Sequence, residues 1–584
     1  MKTHHVLLAV LMLPGAALAQ QDGTVNTVDT STQVFPATQG DEGPLRFESQ
    51  VPKDRSSYLP APMPQVSGIH TGPQQAISYD MISGEELVYD APSTGLSHGW
   101  VVGRELADQV GESISRSFPG LSAVTSTSFP WSTHCRMWFT KFGLNYVCSG
   151  TLIDARTMMT AGHCVHEGSG GNWATNVSVA PSWDGDDDAF GSANGISLGS
   201  WTSWTVSGSY DGDMGWVRLD RPIGVLTGWL GYGYNSDNSW WSSAGFNLTG
   251  YPGSCFSGAP DQFYYDYGTW DSVGTYVVEA DMSESCWIGG MSGGGIYYID
   301  GSGNRYVYAD VSHGWGWPSS TTRMGACRMT SSKFDWVLNT FIPGAYNTSQ
   351  VDYIPLDMEV DMGGSSMRAG TAPSSMSYRV FNNSLYNPAS ATVHTDTYLS
   401  TNDNISEFDT LIQSHTFTWD FGAKSSVTVN YSTPPTIPVD TVPGSYWIGV
   451  IIDELDYSTS NNDTDGWDAA PVTIIEPLNS ITLSGPSSGA VGSTVTYDIS
   501  DAPTSAPVWM YWSRTLGGTT INGHPFAIGS PYNTVASGTT SSTGTWTVSG
   551  TIPPALAGRT IWLEIRADKY GYTYDSYVKG LTGF

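Results

Sequence analysis

Basic residues are scarce in this chain. Against 54 Asp and Glu stand only 23 Lys and Arg, giving a formal charge of −31 with 13% of residues charged. Such a surface repels polyanions, which excludes nucleic acid and anionic membrane as partners. Beyond the N-terminal stretch no run approaches the ~18 continuous apolar residues of a spanning helix, and no cysteine follows that stretch to carry a lipid, so no membrane insertion is expected. Cysteine is missing from most of the chain: Cys135, Cys148, Cys164, Cys255, Cys286 and Cys327 are its only cysteines and all fall in one segment. Apolar residues at helical spacing are nearly absent too, which leaves an all-β chain.

What is present gives an address and a division into units. Lys2, the apolar run Val6 to Leu13 and Ala17-Leu18-Ala19 make residues 1–19 read as a secretory signal peptide cleaved after Ala19. The protein is therefore expected to be secreted, and an even cysteine count then implies disulfides inside one domain, with the pairing left open by spacing alone. At 584 residues several cores are required.

Residues 20–100 are rich in Pro, Gly, Ser and Gln and are expected to be a propeptide or a disordered leader. Residues 101–346 show short apolar or alternating runs broken by Gly, Asn, Asp and Ser, as antiparallel barrels require. A helix is expected over 331–339, where Phe334, Val337 and Leu338 share a face. Residues 350–476 carry strand-like runs at Tyr398 to Asp403, Pro443 to Asp453 and Val472 to Ile474. Residues 478–584 alternate at Val495/Tyr497/Ile499, Val508/Met510/Trp512 and Ile561/Leu563/Ile565, as in a half-buried β-sandwich.

Chemistry concentrates at three places. Leu152 to Cys164 reads as a short apolar strand followed by a small-residue turn that presents His163 beside Cys164, with Cys148 upstream. Asp213 precedes the buried run Met214 to Leu219. Ser292 sits inside Gly289-Gly290-Met291-Ser292-Gly293-Gly294-Gly295. In the order His, Asp, Ser these segments resemble the trypsin-like serine proteases.

The resemblance implies a double antiparallel β-barrel that hydrolyses peptide bonds through an acyl-enzyme, with protein or peptide substrates and no cofactor or metal. Ser292 would be the nucleophile, His163 its general base and Asp213 the acid that orients the imidazole. The backbone N–H groups of Gly290 and Ser292 would form the oxyanion hole. Asp211 and Asp220 compete with Asp213, which is preferred because the strand begins directly after it. The resemblance favours Cys148–Cys164 and Cys286–Cys327 as disulfides, leaving Cys135 with Cys255.

Gly250-Tyr251-Pro252-Gly253, Pro181 with Phe190-Gly191, and Val311-Ser312-His313-Gly314 further resemble the bacterial glutamyl endopeptidases. That branch implies cleavage after Glu, or less well Asp, with His313 hydrogen-bonding the substrate carboxylate. Three residues depart from the pattern. Gly295 replaces the family's usual Pro, Cys286 stands where a trypsin-type pocket has its Asp, and Trp287 replaces a small hydroxyl residue lining the pocket. A hydrophobic or broad pocket therefore stays open as the alternative, as does a catalytically inactive, protease-like adhesion or matrix-binding protein.

Residues 350–476 resemble the cell-adhesion-related sandwich modules of secreted bacterial proteins, and a polysaccharide or cell-surface ligand is the expectation carried for the C-terminal modules. His134 and His166 lie near cysteines without enough acids for a zinc site. Asp184-Gly185-Asp186-Asp187-Asp188 reads as a Ca²⁺ loop or, more simply, a solvated turn.

Overall fold

The computed structural model describes residues 22–27 (backbone only), 57–64, 66–90, 96–105, 122–124, 127–185, 189–253, 263–282, 289–315, 323–388, 390–439, 441–477, 480–569 and 571–584. The expected signal peptide, Cys255, Cys286, Trp287 and Asp186 to Asp188 lie outside the described residues.

The chain is all-β, a double barrel followed by sandwich sheets. In the first barrel, strands Thr175–Pro181, His134–Lys141, Leu144–Asp154, Thr157–Thr160, Gly215–Leu219 and Ala193–Trp201 pair in that order, and the last closes back on the first. Its interior is filled by Met137, Phe139, Leu152, Met158 and Val217, all fully buried. Leu144–Asp154 shows little alternation because its second half is covered on both faces. The second barrel orders Val277–Asp281, Arg323–Arg328, Arg305–Trp315, Gly295–Ile299, Phe246–Gly250 and Phe263–Gly268 around Phe246, Leu248, Val278, Ile296, Val311 and Met324.

The expected terminal helix runs Ser331–Trp336 and continues as one wider turn over Val337–Phe341. Thr330 caps its start by accepting from the Lys333 N–H, and Phe334, Val337 and Phe341 enter the barrel core.

The stretch with no visible periodicity before residue 101 is not a disordered leader over its described part. Ala76–Asp80 pairs with Ala193–Trp201 and with Glu86–Tyr89, so a hairpin extends the first barrel. His98–Val101 pairs with Gly231–Asn235. These segments dock through backbone hydrogen bonds and a few scattered side chains such as Ala76 and Ile77, which leave little periodic trace in the sequence.

Beyond the barrels, Asp22–Thr27, Ser426–Tyr431, Ser375–Asn382 and Tyr353–Asp361 form one sheet; Met367–Arg368, Ala470–Ile475, Gly444–Ile452, Ala391–Ser400 and Thr410–Trp419 form another. Between them lie Tyr378, Val393, Ile412, Val429 and Ile448. The last sheets bury Tyr497, Ile499, Val508, Met510, Ile561, Leu563 and Ile565 of the alternating positions read from sequence, while Val495 and Trp512 are only partly buried.

The middle sheets share a core with the first barrel, whose apolar cluster takes in Ile354, Leu356 and Phe381. Arg221 adds a two-pronged ion pair to Asp468, with Nε–Oδ2 at 2.8 Å and Nη2–Oδ1 at 2.6 Å, and both side chains are largely buried, 13% and 11% exposed. Arg221→Ala leaves the Asp468 carboxylate without its counterion and should cost about 3 kcal/mol of unfolding free energy. Replacing both partners with apolar residues should recover most of that. Urea unfolding of the two variants checks this, and equal losses in both would contradict it.

Candidate active site

His163 is delivered by a short chain of constraints. The Thr157–Thr160 strand pairs with Gly215–Leu219, which starts just after Asp213, so the turn after Thr160 meets the turn before Gly215. The helical turn Gly162–Val165 carries His163 and Cys164, and Cys164 is bridged to Cys148. Gly162 gives the carboxylate room: a Cβ there would lie 3.1 Å from both Asp213 Oδ1 and Asp213 Cα, closer than side chains usually pack.

Asp213 is fully buried. Its Oδ1 accepts the His163 backbone N–H at 2.7 Å, and His163 Nδ1 lies 3.0 Å from Oδ2 and 3.1 Å from Oδ1. Ser312 Oγ donates to Oδ2 at 2.6 Å. Burial by itself would raise the Asp213 pKa; the His163 charge and the hydrogen bonds from His163 and Ser312 outweigh it and hold the carboxyl below its usual range. Of the competing acids, Asp220 accepts from the Asn194 backbone and side chain, and Asp211 offers its carbonyl to Lys333. Neither takes the position on His163.

Ser292 follows a loop pinned to the first barrel. The Ser149 N–H donates to Ser292 O at 2.8 Å, Ser149 Oγ donates to Gly290 O at 2.7 Å and accepts the Tyr251 N–H at 2.8 Å. Gly290 and Gly293 have φ of 97° and 82°, and a Cβ on Gly293 would fall 2.1 Å from Thr160 Oγ1. Gly295, where the resemblance leads one to expect Pro, uses the N–H that Pro lacks, donating to Thr151 Oγ1 at 3.1 Å. The Gly290 and Ser292 N–H groups are not taken by carbonyls among the described residues. Ser292 Oγ and His163 Nε2 are both buried and have no hydrogen-bond partner among the described residues, so the bond a Ser–His pair needs for proton transfer is not made in this state.

His313 sits beside the acid. Its ring stacks on Tyr210, centroids 3.8 Å apart, its Nδ1 is 3.0 Å from Ser312 Oγ and its Nε2 is 3.9 Å from Glu279 Oε1. Glu279 also pairs with Arg323 at 3.0 Å. The nearby His313 ring, together with Arg323 and against the opposing effect of burial, holds the Glu279 carboxyl below its usual range.

The disulfide expectation is corrected in part. Cys148–Cys164 is formed, but Cys135 and Cys327 are buried free thiols. Cys327 Sγ instead receives a hydrogen bond from Lys333 Nζ at 3.0 Å, and burial raises both thiols above their ordinary range, which makes them inert. His134 and His166 are structural. Burial pushes them down to about 3 and about 4, and each is hydrogen-bonded locally, His134 to Thr151 and His166 to the Gly168 N–H. The group Cys148, His163 and Cys164 brings ligand-type atoms within 4.8 Å, but both sulfurs are spent in the disulfide.

The sequence pointed to the Ser312 segment for its histidine and missed the serine, the second-barrel donor to Asp213. It also gave no sign of Lys141, whose Nζ donates to His163 O and which burial brings down to about 8 against the pull of Asp213. Asp310 is likewise unannounced. It is fully buried, its carboxyl raised by burial and then by Asp213, with neither oxygen hydrogen-bonded among the described residues.

The depressed Asp213 pKa has a consequence for stability. Its ionisation stabilises the fold above the unfolded carboxyl value of ~3.9, and that contribution is lost as pH falls through the lower folded value. Ser312→Ala removes one depressing bond, so its stability deficit should be about 2 kcal/mol at pH 7 and close as Asp213 protonates. Denaturant unfolding of both proteins followed from pH 7 down through the acid limb measures it; a deficit that persists after the wild type has lost its own Asp213 contribution would contradict the charged hydrogen bond.

Residues 119–265 match the family model Trypsin. Over 132 residues the chain is 33% identical to an extracellular metalloprotease of Bacillus subtilis, covering 22% of this chain and 41% of that protein. Over 111 residues it is 32% identical to a glutamyl endopeptidase of Bacillus licheniformis, covering 19% of this chain and 34% of that protein. The chain thus spans about a third to two fifths of the length of these relatives. Among solved structures it is similar to the protease Anisep of Arthrobacter nicotinovorans, with a TM-score of 0.32, 23% identity, 37% of this chain and 97% of that one. A Glu endopeptidase in complex with MPD aligns at a TM-score of 0.32 and 20% identity, over 38% of this chain and 98% of that one. With its sequence matched to the Trypsin model and its strands closed into the barrel that carries His163 and Asp213, the chain contains a trypsin-like serine protease domain.

Proposed function

We propose that the protein is a secreted serine endopeptidase. The observation that carries the reading is the buried Asp213 carboxylate gripping His163 by its backbone N–H and its Nδ1 at once. An ionised carboxylate only accepts, so the imidazole proton sits on Nδ1 and Nε2 is left as the base. As Ser292 Oγ attacks the substrate carbonyl carbon, its proton passes to His163 Nε2 and the carbonyl oxygen becomes an oxyanion facing the Gly290 and Ser292 N–H groups. His163 then protonates the departing amine, leaving an acyl-enzyme on Ser292. Water, deprotonated by the same nitrogen, releases the acid. That the chain carries His163, Asp213 and Ser292, all three of them buried, speaks against the inactive adhesion reading. Secretion is supported by the N-terminal signal pattern.

For the residue before the scissile bond we propose Glu, then Asp, with His313 as the donor to its carboxylate; the support is the motif around His313 and the relative named a glutamyl endopeptidase. A second reading, a hydrophobic or broad pocket, is favoured by Met291, the buried apolar residue directly before Ser292. The placement of Glu279 at His313 Nε2 means that a substrate carboxylate has to displace or share with a resident one.

Ser292→Ala and His163→Ala should each lower peptide turnover on the order of 10⁶-fold, since the residues act as a unit. A peptide library separates the pockets. Under the Glu reading the profile is led by Glu and falls by about 10² on His313→Ala; a profile led by Leu, Met or Phe and indifferent to His313→Ala establishes the apolar pocket instead. Near wild-type hydrolysis by Ser292→Ala contradicts the whole mechanism.

A further inference from the structure

Tyr58-Leu59-Pro60-Ala61-Pro62-Met63-Pro64 lies against the candidate site. Leu59–Pro60 runs parallel beside Tyr146 and Val147, and the Ala61 N–H donates to Val147 O at 3.0 Å. The segment then presses on the serine loop: a Cβ on Gly289 would lie 2.5 Å from Ala61 O, and one on Gly253 would lie 2.0 Å from Pro60 Cγ. Met63 is 7% exposed and belongs to the apolar cluster that contains Met291, the neighbour of Ser292.

A few residues on, the chain has reached the other side of the site. The Gly68 N–H donates to Gly208 O at 2.9 Å, Ser67 Oγ accepts the Tyr210 N–H at 3.1 Å, and His70 Nδ1 lies 2.9 Å from Ser207 Oγ. Residues 61–64 thus lie along the loop that holds Ser292, and residues 67–70 along the turn that ends in Asp213. Ser292 is 0% and His163 3% exposed. A nucleophile and base for polypeptide substrates cannot work without access.

We propose that residues 58–64 are a built-in occupant of the substrate cleft, with Met63 filling the apolar site beside Ser292, and that their prolines keep this occupant from being cut. The inference rests on the reading of Ser292 as nucleophile. Alternating proline sets the segment in an extended form before it docks, so little further order is lost on binding. The bonds after Leu59, Ala61 and Met63 all have proline as the leaving residue, whose ring replaces the N–H and crowds the residue before it. Those after Pro60 and Pro62 have proline on the acyl side. No bond between Leu59 and Pro64 joins two ordinary residues.

The test uses the full chain and a fluorophosphonate, with the label on Ser292 followed by mass spectrometry. Met63→Asp, which places a charge among apolar side chains, should label on the order of tenfold faster than the wild type. The triple variant Pro60→Ala, Pro62→Ala, Pro64→Ala changes exposed or half-buried positions and keeps the test available if M63D does not fold. It should label faster and also be cut between residues 58 and 64, and this cut should vanish when Ser292→Ala is added. Equal labelling of wild type and both variants, with the segment intact in the triple variant, overturns the proposal alone. No label on Ser292 in any chain overturns the catalytic reading, and the proposal with it.

Discussion

A buried carboxylate is the constraint on which the two barrels depend. Taking Asp213 out of water costs several kcal/mol unless its oxygens are filled with donors. Two of those donors, the His163 N–H and ring, come from the first barrel, and the third, Ser312 Oγ, comes from the second. The barrels therefore have to meet at Asp213 for the charge to be tolerated. Gly162, which admits the carboxylate, and the Cys148–Cys164 bridge, which ties the histidine turn to the neighbouring strand, serve the same junction.

How far the sequence reveals this depends on distance along the chain. His163, Asp213 and Ser292 each sit in a local pattern: a small-residue turn after a strand, an acid before a strand, a glycine loop whose φ angles only glycine adopts readily. The alternating residues of the last sheets are legible because one face of a strand is buried and the other wet. Ser312 was not legible in its role, since nothing local distinguishes a serine that will meet an aspartate 99 residues away. The same holds for Glu279 beside His313. Even cysteine numbers suggested paired thiols, whereas the core simply buries Cys135 and Cys327, and a buried thiol packs as a small apolar side chain.

Residues 57–101 are the plainest failure of pattern. Proline and glycine there read as a propeptide or a disordered leader, and the described residues turn out to supply strands to both barrels. Such segments are held by backbone hydrogen bonds and by isolated buried side chains such as Ala61, Met63 and Ala76, and neither has a period. The middle sheets show a related coupling: Ile354, Leu356 and Phe381 pack into the barrel cluster, and Arg221 pairs with Asp468, so the catalytic and accessory parts share one apolar and ionic seam.

Everything proposed for catalysis turns on His163 carrying its proton on Nδ1, toward Asp213, with Nε2 bare toward Ser292. Nitrogen-15 NMR of the full chain labelled at histidine, recorded where the imidazole is neutral and assigned through a His163→Ala sample, reads that proton directly. The account predicts a protonated Nδ1 with a strongly downfield proton that is lost in Asp213→Asn. A neutral ring protonated on Nε2 in the unmodified protein would contradict it.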